Sequence, residues 1–145
     1  SGLYGCVRPF HAVEPYRLEM GAKLVVDGAR NHYAFWSDKL ARAIAPAGSN
    51  TTIVNLASVE YAKAVLPHLA GDATAVTCLF GEGIRNGKPI QRSTASKKAR
   101  GSMVRWMAEN KLEDASELTA FNIGYRHIPE LSDKNTLVFM NAQAQ

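Results

Sequence analysis

Apolar residues recur along this chain with two different periods, and these periods predict alternating helices and strands. Tyr33, Trp36 and Leu40 fall on one stripe, which is the spacing of an amphipathic helix. Ala43 and Ile44 continue that stripe. Runs rich in β-branched residues predict strands instead. Helices are predicted at residues 33–44, 58–69, 96–111 and 114–118, and strands at 51–58, 73–80 and 135–141.

Short polar segments separate these elements. Asp27-Gly28 is a turn signal, and Asn86-Gly87 has the backbone freedom that a two-residue hairpin loop needs. Asn31 is placed to cap the first helix. Residues 16–21 alternate between apolar and polar, which predicts a short strand or an extended segment.

This alternation predicts a mixed α/β (α+β) fold, in which helices flank a mixed sheet. A chain of 145 residues is long enough to bury a core, so one domain is predicted over residues 1–145. The hydrophobic (46%) and charged (21%) fractions are typical of a globular protein and exclude a disordered or fibrous one. No apolar run reaches the roughly 20 residues of a membrane span, so no membrane partner is predicted.

The two cysteines bear on the cellular compartment. Cys6 and Cys78 are far apart and lack the spacing of a redox or metal motif, so both are predicted to be core thiols in a reducing compartment. No signal-peptide pattern is present at the start, and a cytoplasmic location is predicted. The sequence begins with Ser1 and not with an initiator Met, which is expected of a fragment or a processed product.

Most of the excess positive charge lies in residues 92–111. The single acid there is Glu109, and the net charge of the segment is +5. The rest of the chain has 11 basic and 12 acidic side chains, a net charge of −1. A basic excess confined to one segment indicates an anionic partner. The basic residues of the segment are Arg92, Lys97, Lys98, Arg100, Arg105 and Lys111.

As a helix, this segment has an apolar side and a basic side. The apolar side consists of Ala99, Met103, Trp106 and Met107. The basic side consists of Lys97, Lys98, Gly101 and Arg105. Gly101 would let a phosphate or another backbone approach closely. Arg100 lies at the edge of the apolar stripe and needs a partner, because an unpaired buried charge is costly.

Three interpretations of the basic side remain open. It is a solvated face that keeps the helix soluble, a surface for phosphate or nucleic acid, or a surface for a protein partner. Ser93, Thr94 and Ser96 supply hydroxyl donors at the start of the helix, and these donors favour phosphate.

A second set of polar residues suggests a pocket. Arg17 and Glu19 lie on one face if their segment is extended. They would then form either a positioned acid–base pair or a structural ion pair. Asn55, Glu60 and Tyr61 lie where a strand meets a helix, a place where open α/β sheets bind ligands. The alternative there is a structural role, with Ser58 capping the helix and Tyr61 packing in the core.

If these residues line one pocket, the protein is an enzyme, and this is the rival to the DNA-binding interpretation. With Lys98 they would line a cleft for a phosphorylated small molecule or a nucleotide. Glu19 or Glu60 would be the general base, and Lys98 would stabilise developing negative charge. The four histidines lack metal-binding spacing, and no P-loop, GxGxxG or GxSxG motif is present. No catalytic residue, metal or cofactor is predicted for the favoured function.

Several segments, in a fixed order, resemble the YaaA family of peroxide-stress proteins. They are SGLYGCVRP, PYRLEMG, NLASVEY and KKARGSMVRWMAEN, followed by TAFN and GY. RLEMG, NLAS-x-EY and KKARG are unusual strings, and chance agreement of all three is improbable. The resemblance runs from Ser1 to about Tyr125, and the residues after Tyr125 match poorly.

The resemblance implies a cytosolic protein that protects cells from hydrogen peroxide by limiting unincorporated iron, on a mixed α/β fold peculiar to the family. It also implies DNA binding through a positively charged groove and a hairpin module, of which residues 1–8 would be the second part. A tight structural turn at Gly2 and Gly5 is the alternative for that segment. Family members extend upstream of SGLYG, so this chain is expected to be the C-terminal portion of the family fold and incomplete.

The favoured prediction is a non-enzymatic protein of the peroxide response that binds double-stranded DNA. Its contacts would be mainly to the phosphate backbone, so little sequence preference is expected. A protein that sequesters iron directly is disfavoured, because clustered His, Cys and carboxylate ligands are missing. The residues predicted to contact DNA are Arg92, Lys97, Lys98, Arg100, Arg105 and Arg8.

Overall fold

The computed structural model describes residues 2–143. The chain divides into two compact units. Unit 1 is Ser1–Ile53 with Ala57–Thr74, and unit 2 is Val54–Leu56 with Ala75–Gln145. Helices alternate with the strands of a four-stranded mixed sheet, so the predicted fold class is confirmed. One family domain over residues 1–145 stays a prediction.

The regular elements that lie wholly within unit 1 are short helices, and its residues 2–31 contain no helix. Its elements are α1 (His32–Trp36), α2 (Lys39–Ile44), α3 (Val59–Ala62) and a 3-10 helix at Leu66–His68. Its core is small: Met20, Leu40 and Ala64 are buried. Four partly buried residues pack against them, namely Tyr33, Trp36, Tyr61 and Val65.

The helix predicted at 33–44 is two helices, because the backbone turns at Ser37. Ser37 has a φ of 45°, and its N–H donates to the Tyr33 carbonyl at 2.8 Å, which ends α1. The predicted cap of α1 is confirmed: Asn31 Oδ1 accepts from the Ala34 N–H at 2.9 Å. Ile44, at the end of the predicted stripe, is exposed rather than buried.

The helix predicted at 58–69 is also shorter than expected. α3 has four residues, and Pro67, which has no N–H, lies in the 3-10 helix that follows. Ser58 occupies the N-cap position, but its side chain makes no cap hydrogen bond. Residues 16–21 form no strand.

The start of unit 1 contains two tight turns. Residues 2–4 form a turn that leads into Gly5, whose φ is +65°. Asp27 and Gly28 both have positive φ, and a bridge between Val26 and Ala29 closes their turn, as predicted. Cys6 is exposed, so its prediction as a core thiol was wrong.

The main sheet has the strand order β1-β2-β6-β5. Its strands are β1 (Thr52–Asn55), β2 (Thr74–Gly81), β5 (Tyr125–His127) and β6 (Thr136–Asn141). β6 pairs parallel with β2 and antiparallel with β5. The predicted hairpin is confirmed as β3 (Ile84–Arg85) and β4 (Lys88–Pro89), with Asn86 and Gly87 both at positive φ.

The core of unit 2 lies between the sheet and α4 (Ser93–Glu109). Successive side chains of a strand point to opposite faces, so Cys78 and Phe80 of β2 and Phe139 of β6 reach the same side. From α4, Ala99 and Met103 pack against them. Cys78 is buried, as predicted.

Two other elements of unit 2 differ from the prediction. The short helix expected at 114–118 is a 3-10 helix at Ala115–Ala120, which begins with a capping box between Asp114 and Glu117. β5 was not predicted, because three residues are too few to establish a period. It forms after Gly124, which has a φ of +70°.

Candidate nucleic-acid interface

The basic segment folds as the long helix α4. It has 17 residues and begins at Ser93, three residues before the predicted start. Ala, Lys, Arg and Met, all good helix formers, supply most of its length and outweigh the cost of Gly101. At its end, Asn110 Nδ2 donates to the Trp106 carbonyl at 2.8 Å, and Lys111 turns the chain with a φ of 50°.

The apolar side of α4 packs as predicted. Ala99 and Met103 are buried, and Trp106 and Met107 are partly buried against the same core. Ser96 is also buried, and its hydroxyl donates to the Phe80 carbonyl at 3.4 Å. That hydroxyl is engaged within the fold, whereas those of Ser93 and Thr94 lie on exposed residues.

The opposite side of α4 is exposed and carries three cations, and we name it the α4 basic face. It comprises Lys97, Lys98 and Arg105, with Gly101 between Lys98 and Arg105 and with Thr94 and Ala108 at its two ends. At 3.6 residues per turn these positions form one continuous stripe. Gly101 is open to solvent: a Cβ built on it would meet nothing within 4 Å. The space between Lys98 and Arg105 on this face is therefore open.

The cations of this face differ in whether an acidic side chain pairs with them. Arg105 Nε is 2.7 Å from Glu109 Oε1, one turn further along, and both side chains are largely exposed. An exposed pair of this kind is worth little in stability, so Glu109 restrains Arg105 only weakly. Among residues 2–143, Lys97 and Lys98 make no ion pair. The two lysines therefore carry most of the uncompensated charge.

Arg100 is the only residue of the predicted DNA-contact set that is partly buried in the described chain. Its Nη2 donates to Gln91 Oε1 at 3.4 Å, while its Nε is buried without a partner. The expectation that Arg100 needs a partner is thus met only in part. Its guanidinium lies against the fold at the side of α4, away from the basic face.

The beginning of α4 adds a second source of positive potential. Arg92 is the N-cap residue, is exposed, and makes no side-chain cap bond, and the first turn contains no acid. A helix of this length has about half a positive charge at its N-terminus. Free backbone N–H groups there are donors for an anion.

The remaining predicted contact, Arg8, lies in unit 1, whereas α4 belongs to unit 2. Arg8 is exposed, and its carbonyl accepts from the His11 N–H at 3.1 Å. Within unit 2, the structure brings together Arg92, Lys97, Lys98 and Arg105 on one helix.

The residues of the rival pocket are divided between the units. Arg17, Glu19, Glu60 and Tyr61 belong to unit 1, and Asn55 to unit 2 with Lys98. Asn55 Nδ2 donates to Thr77 Oγ1 at 3.1 Å. In unit 1, Arg17 and Glu19 line a shallow cavity of 250 Å³ with Leu18 and Ala22. Besides burial, the negative charges of Glu60 and Glu19 raise the pKa of the Tyr61 phenol, so these three residues are neighbours.

The unit 1 members of that set have structural contacts. Glu60 Oε1 accepts from the Gly21 N–H at 2.9 Å, and the Glu60 carbonyl accepts from Tyr33 Oη at 3.1 Å. Tyr61 packs against the small core of unit 1, and burial raises the pKa of its phenol. No ion pair joins Arg17 to Glu19 within residues 2–143. Glu60 therefore holds a turn in place.

A polar cluster that the sequence analysis missed lies beside α4 in unit 2. Glu82 follows the end of β2, and its Oε1 accepts from Tyr125 Oη. Its Oε2 accepts from Asn141 Nδ2 at 2.8 Å. The bonds from Tyr125 and Asn141 hold the pKa of Glu82 below its usual range. Burial, together with the bond to Glu82, raises the pKa of Tyr125 to about 12.

This cluster makes a prediction about stability in acid. The pKa of Glu82 is lower in the folded chain than its usual 4.5, so its contribution is present at neutral pH and is lost as pH falls through the folded pKa. Glu82→Gln is expected to lower the free energy of unfolding at pH 7 and to change it much less at pH 3. Urea unfolding at both pH values measures this. The control is Glu113→Gln, which removes an exposed carboxylate. If Glu82→Gln lowers the free energy of unfolding equally at both pH values, the prediction is contradicted.

The described chain offers neither a metal centre nor a membrane span. Within it, no group of three His, Cys, Asp or Glu residues is arranged to hold a metal ion. None of the described helices is both long and apolar enough to cross a membrane.

Comparison with known proteins places these features in a family. The model of a family described as peroxide stress protein YaaA matches residues 1–131. A UPF0246 protein of Desulfitobacterium hafniense is 45% identical over 146 aligned residues, which cover 100% of this chain and 57% of the relative. A UPF0246 protein of Limosilactobacillus reuteri is 44% identical over 140 residues, 96% of this chain and 55% of its own length.

A third relative gives a similar match. A UPF0246 protein of Ruegeria sp. is 45% identical over 127 residues, covering 86% of this chain and 50% of the relative. The chain thus spans about half the length of the curated relatives it matches. The family match also extends past Tyr125, to residue 131. Because it covers most of the sequence, the chain belongs to the YaaA family of peroxide-stress proteins.

Proposed function

We propose that this chain acts in the response to hydrogen peroxide by binding double-stranded DNA through α4. The observation that supports this most directly is the α4 basic face, where Lys97 and Lys98 are exposed and make no ion pair within the described chain. The buried side of the same helix fixes their position. Cations held in place on a rigid element suit the regularly spaced phosphates of a duplex.

The proposed contacts are to the DNA backbone. Lysine ammonium groups and helix N-terminal N–H groups recognise phosphate without reading base sequence. Gly101 has no side chain and is open to solvent, so a phosphate can reach the helix between Lys98 and Arg105. Arg92 and Arg105 extend the positive surface towards the two ends of α4. Low sequence preference follows from this mode of binding.

DNA binding also gives a physical route to protection against iron-dependent damage. Duplex DNA concentrates cations around its phosphates, and a protein that neutralises those phosphates displaces the cations. Ferrous ions are among the cations held there, and their reaction with peroxide produces hydroxyl radicals at the duplex. We place the protein in the cytoplasm, where the DNA of its bacterial relatives lies.

A salt titration of duplex binding tests the proposal. The slope of log K against log salt is expected to lie between about −3 and −4, which corresponds to about four phosphate contacts. In the variant Lys97→Ala/Lys98→Ala/Arg105→Ala, the slope should flatten by about one for each phosphate that is no longer neutralised, and affinity should fall for every sequence. Fluorescence anisotropy with two unrelated duplexes measures both effects.

The control is a variant that removes three other exposed cations of unit 2. Lys88, Arg126 and Lys134 are exposed and lie outside α4, on β4, on β5 and before β6. Their replacement by alanine lowers the net charge by the same amount. The proposal requires the control to keep the steeper slope. Equal slopes for the two triple variants, or a folded wild type without salt-dependent binding, would rule it out.

A further inference from the structure

A cavity in unit 2 has walls suited to a small polar ligand. It measures 280 Å³ and lies between α4 and the sheet. Glu82 follows β2, and Asn141 is the last residue of β6, so both lie at the carboxyl ends of two parallel strands. In open α/β sheets, ligands bind at that edge. The lining residues are Glu82, Ala95, Lys98, Ala99, Ser102, Gly124, Tyr125, Asn141 and Gln143.

The Glu82 carboxylate is the acceptor of this cavity. Each of its two oxygens accepts one internal hydrogen bond, from Tyr125 and from Asn141. A carboxylate oxygen has two lone pairs, so each oxygen retains one acceptor position. The two internal bonds fix the orientation of the carboxylate and keep it ionised at neutral pH. It is therefore a positioned acceptor for an N–H donor.

Lys98 supplies the opposite charge. It lines the cavity from α4, together with Ser102 one turn further along the helix. Within residues 2–143, neither side chain has a hydrogen bond or an ion pair, and no ion pair joins Lys98 to Glu82. An ammonium group that shares a cavity with a carboxylate but does not pair with it is available to an anionic group of a ligand.

Size narrows the choice of ligand. The volume of 280 Å³ is just below the roughly 300–1,000 Å³ of pockets for drug-sized molecules. Three of the lining residues, Ala95, Ala99 and Gly124, are small and leave room for a flat ring. A ligand that fits the walls has a donor group for Glu82, an anionic group for Lys98, and the size of one nucleoside.

We infer that this cavity binds a single unpaired nucleotide, with Glu82 accepting from the exocyclic amino group of the base and Lys98 contacting the phosphate. The inference rests on the proposed DNA binding, since Lys98 also belongs to the α4 basic face. Carboxylates accept from the amino group of cytosine in known protein–DNA contacts. An unpaired base reaches such a pocket at a lower unstacking cost than a paired one.

The inferred contact distinguishes between bases. Cytosine, adenine and guanine have an exocyclic amino donor, whereas uracil and thymine have carbonyl oxygens in its place. A carbonyl oxygen facing the Glu82 carboxylate would be repelled. A cytosine nucleotide should therefore bind more tightly than the uracil nucleotide, which has the same ring size and the same phosphate.

The experiment compares 2′-deoxycytidine 5′-monophosphate (dCMP) with 2′-deoxyuridine 5′-monophosphate (dUMP), using NMR shift titrations of the whole chain. We expect dCMP to bind about tenfold more tightly than dUMP, the lower part of the range for one base contact. Glu82→Gln should bring the ratio to about one, because an amide both donates and accepts. Lys98→Gln should weaken both nucleotides equally and leave the ratio unchanged.

Controls separate this inference from a loss of folding. Tyr125→Phe keeps the ring that packs on Phe80 but removes the donor to Glu82, so it should reduce the dCMP preference while the chain stays folded. Glu113→Gln should leave the ratio unchanged. Equal binding of dCMP and dUMP by the wild type would overturn the inference, and so would a preference that survives in Glu82→Gln.

The same samples, tested with duplex DNA, distinguish the two proposals. Salt-dependent duplex binding without a dCMP preference would leave the proposed function standing and reject the nucleotide site. A dCMP preference without duplex binding would support the cavity and reject the DNA proposal. If both are correct, Glu82→Gln should bind duplex as the wild type does and lose only the base preference.

Discussion

Phe80→Ala is expected to lower the free energy of unfolding of unit 2 by about 3–5 kcal/mol, the usual cost of truncating a buried Phe. Phe80 is fully buried, and its ring lies 5.3–6.1 Å from the rings of Phe121, Tyr125 and Phe139. The total free energy of unfolding of a small domain is only about 5–15 kcal/mol, so this one substitution removes a large share of the stability. Urea unfolding followed by fluorescence measures the loss.

The two tryptophans allow each unit to be monitored separately. Trp36 lies in unit 1, and Trp106 lies in unit 2, where its ring meets Phe121 at 5.5 Å. A Trp36→Phe background therefore reports on unit 2 alone. Phe10→Ala is the matched control, because Phe10 is fully exposed and its truncation should change the unfolding of unit 2 little. Similar losses for the two Phe→Ala variants would contradict the assignment of Phe80 to the core.

The loss of stability in Phe80→Ala should also weaken DNA binding. Ala99 and Met103 hold α4 against the cluster that contains Phe80. If that cluster collapses, Lys97 and Lys98 lose their fixed positions although neither has been changed. We expect Phe80→Ala to reduce duplex affinity at temperatures where unit 2 is unfolded, and to retain it where circular dichroism still shows the native helix content.

Gly5→Ala is expected to lower the free energy of unfolding of unit 1, and this is the second large effect. The φ of Gly5 is +65°, a conformation that costs an L-residue about 1–2 kcal/mol. A Cβ there would also lie 2.8 Å from Trp36 Cη2, and overpacking of this kind costs about 1–3 kcal/mol more. Unfolding of unit 1, monitored through Trp36 in a Trp106→Phe background, should shift accordingly.

Gly28→Ala separates the two causes. Gly28 lies in the same unit and has a φ of +75°, but a Cβ on it would meet nothing within 4 Å. It therefore has the conformational cost without the clash, and Gly5→Ala should be the more destabilising of the two. Equal losses would show that the Trp36 ring moves aside freely.

Local patterns in the sequence predicted the elements whose own periodicity decides their structure. The two sides of α4 follow from spacings of three and four residues, and burial of Ala99 and Met103 agrees with them. The Asn86-Gly87 hairpin follows from the positive φ that those two residues tolerate. In both cases the information lies within a few positions of the chain.

Features decided by distant contacts were not predictable in this way. The partners of Glu82 are 43 and 59 positions away in the sequence, so no spacing rule connects Glu82 to Tyr125 or Asn141. The break at Ser37 is equally hidden, because the stripe of Tyr33, Trp36 and Leu40 continues into the same core across it. Their prediction requires knowledge of the tertiary fold.

The position of β6 has a consequence for the order of events during protein synthesis. Of the four strands in the main sheet, β6 is made last, yet it lies between β2 and β5 and supplies Phe139 to the core. Until β6 has left the ribosome, β2 has an unpaired edge and α4 has no complete surface to pack against. Unit 2 therefore reaches its final form only after residue 141 has emerged, and during that interval the open edge of β2 can pair with other strands.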